Sequence, residues 1–196
     1  MDFVTSDLHF SHNNIIKYCN RPFQSIEHMN SILTSNWNSK VSPDDTVYVV
    51  GDFFMGNKED WPSHRAKLNG KIILVMGNHD TKGKLFTPEE NKAFMRECGV
   101  DETVDEFYLE SHGLIWWMAH YPPAGHDRHT DDRGYQRPKP SQKYDVMLYG
   151  HVHSPNIYDV PGALHVGCDA HGYTPRSMDE MYELWKAHPF PYDRSR

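Results

Sequence analysis

Five short apolar runs punctuate the chain, and each gives way to polar residues able to bind a metal. Phe3-Val4-Thr5-Ser6 leads into Asp7-Leu8-His9, and Thr46-Val47-Tyr48-Val49-Val50 leads into Gly51-Asp52. Ile72-Ile73-Leu74-Val75-Met76 is followed by Gly77-Asn78-His79-Asp80. The run 114–119 ends at His120, and Val146-Met147-Leu148-Tyr149 ends at Gly150-His151-Val152-His153. These runs have strand length, are rich in β-branched and aromatic residues, and lack apolar–polar alternation. They predict strands buried on both faces.

Helical spacing fills the intervals. Over 25–41, Ile26, Met29, Leu33 and Trp37 share one face behind a Ser25 N-cap. Over 88–98 the signals are a Thr87 cap, a proline at the first helical position and Gly99 beyond the end. A last helix is predicted over 177–188, with Met178, Met181, Leu184 and Trp185 inward. Strands alternating with helices predict one α/β domain spanning 1–196. Ligands of such folds bind beyond the carboxyl ends of the strands, where the five polar clusters would meet.

The clusters offer two carboxylates (Asp7, Asp52), one amide (Asn78) and four imidazoles (His9, His120, His151, His153). Such a set exceeds the needs of one tetrahedral zinc and suits two divalent ions sharing a carboxylate. Manganese is the leading expectation, with iron, zinc or nickel also fitting. Residues i and i+2 of a strand point the same way, so Asp7 with His9, and His151 with His153, are each expected to face one site. Gly51, Gly77 and Gly150 precede ligands and are expected to permit sharp turns and close approach of a substrate. Each fragment alone describes an ordinary turn; five in order after apolar runs describe a metal centre.

Composition narrows the alternatives. With 196 residues the chain can bury roughly 70% of its unfolded surface without disulfides. Its three cysteines are far apart and predict reduced, packed thiols and a cytoplasmic protein. The start lacks a signal-peptide pattern, and the run 113–119 is too short to cross a bilayer. A net charge of −7 argues against long nucleic acid as partner and leaves room for a small anion drawn to bound metal.

The set Asp7-x-His9, Gly51-Asp52, Gly77-Asn78-His79-Asp80, His120, Gly150-His151-x-His153 resembles the calcineurin-like metallophosphoesterases. The stretch Ser6-Asp7-Leu8-His9-Phe10-Ser11-His12-Asn13-Asn14-Ile15-Ile16 is similar to the small single-domain members of bacteria and bacteriophages. The resemblance implies a four-layer α/β/β/α sandwich of two mixed β-sheets flanked by helices. It implies one ion held by Asp7, His9, Asp52 and His153, and a second held by Asp52, Asn78, His120 and His151. It makes His79 the catalytic acid and Asp80 its orienting partner. It also implies attack on a phosphodiester by a hydroxide bridging the two ions. Together with the acidic charge, it favours small nucleotide diesters, 2′,3′-cyclic nucleotides foremost. A phosphomonoesterase, a nuclease and a non-catalytic interaction module on the same fold are the alternatives. The intact ligand set argues against the last.

Other residues are weaker candidates. His12 is expected either to line the substrate pocket or to cap a helix start. The long segment 121–143 lacks any period and carries Arg128, Arg133 and Arg137, so it predicts a substrate lid or a solvated insertion. His28, His64, His112 and His188 are expected in packing or surface roles, as is Cys168. His165 and His171, flanking Gly167-Cys168-Asp169, are expected mainly outside the site.

Overall fold

The computed structural model describes residues 1–127, 137 and 139–187. Strands β1 (Asp2–Thr5), β2 (Thr46–Val50), β3 (Lys71–Val75) and β4 (Glu102–Val104) pair in parallel in one sheet. Strands β5 (Phe107–Ser111), β6 (Leu114–Met118), β7 (Val146–Tyr149) and β8 (Ala163–His165) form the second, in the order β5-β6-β7-β8. Strand β9 (Arg176–Ser177) then returns antiparallel to β1 and completes the first sheet as β4-β3-β2-β1-β9. Both sheets are mixed. Helices α1 (Asn13–Tyr18), α2 (Ile26–Lys40), α3 (Trp61–Arg65), α4 (Pro88–Glu97) and α5 (Met178–Lys186) flank them.

The continuous apolar runs have a simple cause: each central strand is buried on both faces. Val47 and Val49 of β2 pack with Met29, Leu33 and Trp37 of α2, Trp61 of α3 and Met95 of α4. Tyr48 and Val50 point the other way, against Trp116, Met118, Val146 and Leu148 of the second sheet. The far face of that sheet is closed by Trp117, Met147, Tyr149 and Val160. Helix α2 starts where Ser25 accepts a hydrogen bond from the His28 N–H. Helices α4 and α5 open with capping boxes, Thr87 with Glu90 and Ser177 with Glu180. Each such cap is worth about 1 kcal/mol.

Strands β4, β5, β8 and β9 had no sequence signal. β4, β8 and β9 are too short for a period of two to register, and β5 is only half buried. The first strand ends at Thr5, one residue earlier than its apolar run suggests. Ser6 instead bridges in parallel to Gly167, tying the active edge of one sheet to that of the other.

Candidate metal centre

The parallel strands β1, β2 and β3 release Asp7, His9, Asp52, Asn78 and His79 at their carboxyl ends. Strands β6 and β7 release His120, His151 and His153 toward the same place. Ligand atoms of Asp7, His9 and His153 lie within 4.8 Å of one another, and those of Asp52, His120 and His151 do likewise. Asn78 joins the second group, its Oδ1 standing 3.1 Å from His120 Nε2. Between the groups, Asp52 Oδ2 is 3.5 Å from both His9 Nε2 and His120 Nε2.

The strand argument for the paired ligands needs correction. Asp7, His9, Asp52, His151 and His153 all lie beyond their strands with positive φ, between 50° and 73°. This left-handed backbone costs a non-glycine residue roughly 1–2 kcal/mol and persists only where the surroundings over-determine it. Here the ligand loops hold one another. The Asp7 N–H donates to Gly51 O, the His9 N–H to Asp52 O and the His151 N–H to both Asp7 carboxylate oxygens. Coiling of the chain, and not the pleat of a strand, turns each pair inward. Gly51 takes the expected turn, at φ +84°, and the glycines have a second role. A Cβ at Gly51 would collide with the His120 ring, and one at Gly150 with Ser6 Oγ and Asp7, so they admit the ligands themselves.

The electrostatics fit cations. Asp52 is buried, which alone would raise its pKa; facing His120, His9 and His79, it is instead held far below the usual carboxylate range. Burial likewise opposes charge on His120, but Asp52 outweighs it and pushes that imidazole up to about 9. Burial, then the neighbouring His120, takes His151 down to about 4. His9 is held low mainly by burial, and both its ring nitrogens are buried without a hydrogen-bond partner among the described residues. A buried imidazole with no partner beside a stabilised carboxylate is the condition a divalent ion would satisfy.

Three of the four imidazoles have one ring nitrogen committed. His120 Nδ1 donates to Val50 O at 2.8 Å, leaving Nε2 toward Asp52 and Asn78. His151 Nε2 lies 3.1 Å from Asp127 Oδ2, leaving Nδ1 3.2 Å from His120 Nε2. His153 Nδ1 lies 3.0 Å from Asp169 Oδ2; against the effect of burial, that contact drives the ring up to about 10.

His79 stands at the mouth, its side chain 37% exposed and its Nε2 3.9 Å from Asp52 Oδ2. Asp80 does not orient it. The Asp80 carboxylate accepts from the backbone N–H groups of Asp52, Phe53 and Gly77, so it fixes the main chain that carries Asp52 and Asn78. Its burial, then the charge of Asp52, pushes its pKa up to about 7. His12 occupies the N-cap position of α1 without a side-chain capping bond; it lines the cleft, 5.3 Å from the His9 ring centroid. The Arg137 guanidinium donates to Pro122 O and Asp127 O within its own loop. Arg128, Arg133 and His188 lie outside the described residues.

His28, His64 and His112 take the packing roles expected of them, accepting from Gln24, touching Ser11 Oγ and stacking on Tyr182. Cys168 is buried and its thiol is pushed up, largely by that burial. His165 sits behind Asp7, and one Cβ added at Gly167 would touch both. Three contributors escaped the sequence: Arg21, Asp127 and Asp169. Arg21 and Asp169 are 148 residues apart, and no spacing could have joined them.

Residues 3–155 match the calcineurin-like phosphoesterase family. The chain belongs to that family. The family is one of phosphoester hydrolases that bind divalent metals, in keeping with the two ligand groups. An uncharacterized protein of Methanocaldococcus jannaschii is 28% identical over 190 residues, covering 93% of this chain and 89% of its own length. The gene 66 protein of Mycobacterium phage L5 is 30% identical over 200 residues, covering 93% and 92%. A solved structure, a protein of unknown function from Aquifex aeolicus, has the same fold: TM-score 0.66, 24% identity, covering 94% of this chain and 98% of its own.

Proposed function

We propose that this phosphoesterase hydrolyses phosphodiesters of small nucleotides, 2′,3′-cyclic nucleotides foremost, with two divalent ions sharing Asp52. The observation that carries this reading is Asp52 Oδ2, placed 3.5 Å from an imidazole of each ligand group. Manganese is the leading occupant, since mixed oxygen and imidazole donors suit it. When bound, the pair neutralises charge on the phosphoryl oxygens and lowers the pKa of the attacking water.

The chain's own residues do the rest. His79, outside both ligand groups and open to the cleft, is placed to hold a proton for the departing alkoxide. The cleft above the ligands, about 720 Å³, has an apolar wall of Ile15, Met55 and Val152. Tyr18 stands on its rim, 73% exposed, with its ring edge-on to His12. An exposed aromatic face beside a phosphoryl site suits stacking of a base, worth about 1–3 kcal/mol.

The test starts with metal-stripped protein and bis(p-nitrophenyl) phosphate. Turnover is expected only after Mn²⁺ is restored. A panel of 2′,3′-cyclic nucleotides, nucleoside monophosphates and single-stranded DNA then ranks the substrates. Metal-independent turnover, or faster cleavage of monoesters than diesters, would overturn the proposal.

A further inference from the structure

We infer that Asp169, clamped by Arg21, is a positioning residue that directs the Nε2 of His153 at the first ion. This rests on the reading above, that His153 is a ligand. The Arg21 side chain is fully buried and the Asp169 side chain only 6% exposed. Arg21 Nε and Nη2 donate to Oδ1 and Oδ2 of Asp169, both at 2.8 Å, in the bidentate geometry that a guanidinium fork favours. Its remaining donors reach the carbonyls of Asp7 at 2.7 Å and Leu8 at 3.0 Å. One guanidinium thus braces the turn that carries Asp7 and His9 and the carboxylate behind His153.

The orientation follows from donor and acceptor chemistry. An ionised carboxylate only accepts, so Asp169 Oδ2, 3.0 Å from His153 Nδ1, requires the proton on Nδ1 and makes Nε2 the nitrogen an ion can take, displacing any proton there. Cys19, His153 and Asp169 also bring ligand atoms within 4.8 Å of one another. Both Asp169 oxygens are engaged by Arg21, however, which leaves this carboxylate as an orienter of His153 and not a ligand itself. A purely structural ion pair would serve as well if replaced by apolar residues of similar volume. A positioning pair would not.

The experiment uses the full chain, stripped of metal and titrated with Mn²⁺ in a calorimeter. Wild type is expected to take two ions. Asp169→Asn is expected to weaken one site by roughly 10–100-fold and to leave the other within about twofold. The double variant Arg21→Met/Asp169→Leu separates the roles: it is expected to keep the weakened site, and recovery of wild-type affinity there would overturn the inference. A third measurement needs no variant. In the Zn²⁺-loaded protein, ¹⁵N spectra of the histidine rings are expected to show His153 protonated at Nδ1 and coordinated through Nε2. Coordination through Nδ1, or unchanged affinity in Asp169→Asn, would overturn the inference while leaving the proposed function standing. A wild-type chain that binds no ion would overturn both.

Discussion

The two sheets contribute differently to one centre. The first delivers the candidate oxygen ligands Asp7, Asp52 and Asn78, together with His9 and the exposed His79. The second delivers only imidazoles: His120, His151 and His153. Behind each of these stands an acceptor that commits one ring nitrogen, namely Val50 O, Asp127 and Asp169. His9, from the first sheet, has no hydrogen-bond acceptor on either nitrogen among the described residues. The carboxylates aimed into the centre therefore come from one edge, and imidazoles oriented from behind come from the other. The lesson is that anions can be placed by backbone turns and N–H groups, whereas an imidazole must also be told which nitrogen to offer.

Substitutions on the two sides should break the centre unequally. Asp52→Asn, on the first sheet's side, is expected to weaken both sites and to depress kcat/KM by more than the roughly 100-fold that losing an outer partner costs. His153→Ala, on the second, is expected to remove mainly one ion. Metal analysis of the purified variants checks this, and equal losses would refute Asp52 as the shared ligand.

His79→Asn is expected to retain both ions yet lose about 10²–10⁴-fold in rate on cyclic nucleotides. The loss should be smaller on nitrophenyl esters, whose leaving group needs little protonation. Kinetics on the two substrates side by side decide the matter, and equal losses would remove His79 as proton donor.

A base stacked on Tyr18 would give a smaller effect. Tyr18→Ala is expected to raise KM for a cyclic nucleotide by about tenfold, in line with the worth of a stacked base, and Tyr18→Phe to restore it. A glycerol phosphodiester, which has no ring to stack, should be turned over equally by all three proteins.

The least effect on activity should come from His171, which follows β8 and belongs to neither ligand group, and there stability is the quantity to measure. It is buried, Nε2 donates to His165 O, and burial lowers its pKa to about 4. Between about pH 6.5 and 4 the unfolded chain binds this proton and the folded chain does not, so stability is complete above 6.5 and falls as pH falls. The shift corresponds to about 3 kcal/mol at the acid end, of which about 1 is lost between pH 7 and 5.5. Urea unfolding of metal-free wild type and His171→Gln at both pH values should show the extra slope in wild type alone.

The apolar runs and the polar residues after them were legible because both are local. A strand buried on two faces must be continuously apolar, and ligands at its carboxyl end follow within a few residues. That fixed the ligand types, the helices with Ser25 and Thr87 caps, and the α/β class. What the tertiary structure decided concerns residues that meet only after folding. Asp80 adjoins His79 in sequence, but its carboxylate turns to three backbone N–H groups. Asp7 and His9 have the spacing of a strand pair, but their loop coils through left-handed backbone because Gly51 and Asp52 offer it carbonyls. Arg21 and Asp169 carry no motif at all. A buried ion pair leaves no periodic trace in sequence, since its energy depends on desolvation and geometry that exist only once the two sheets have closed over it.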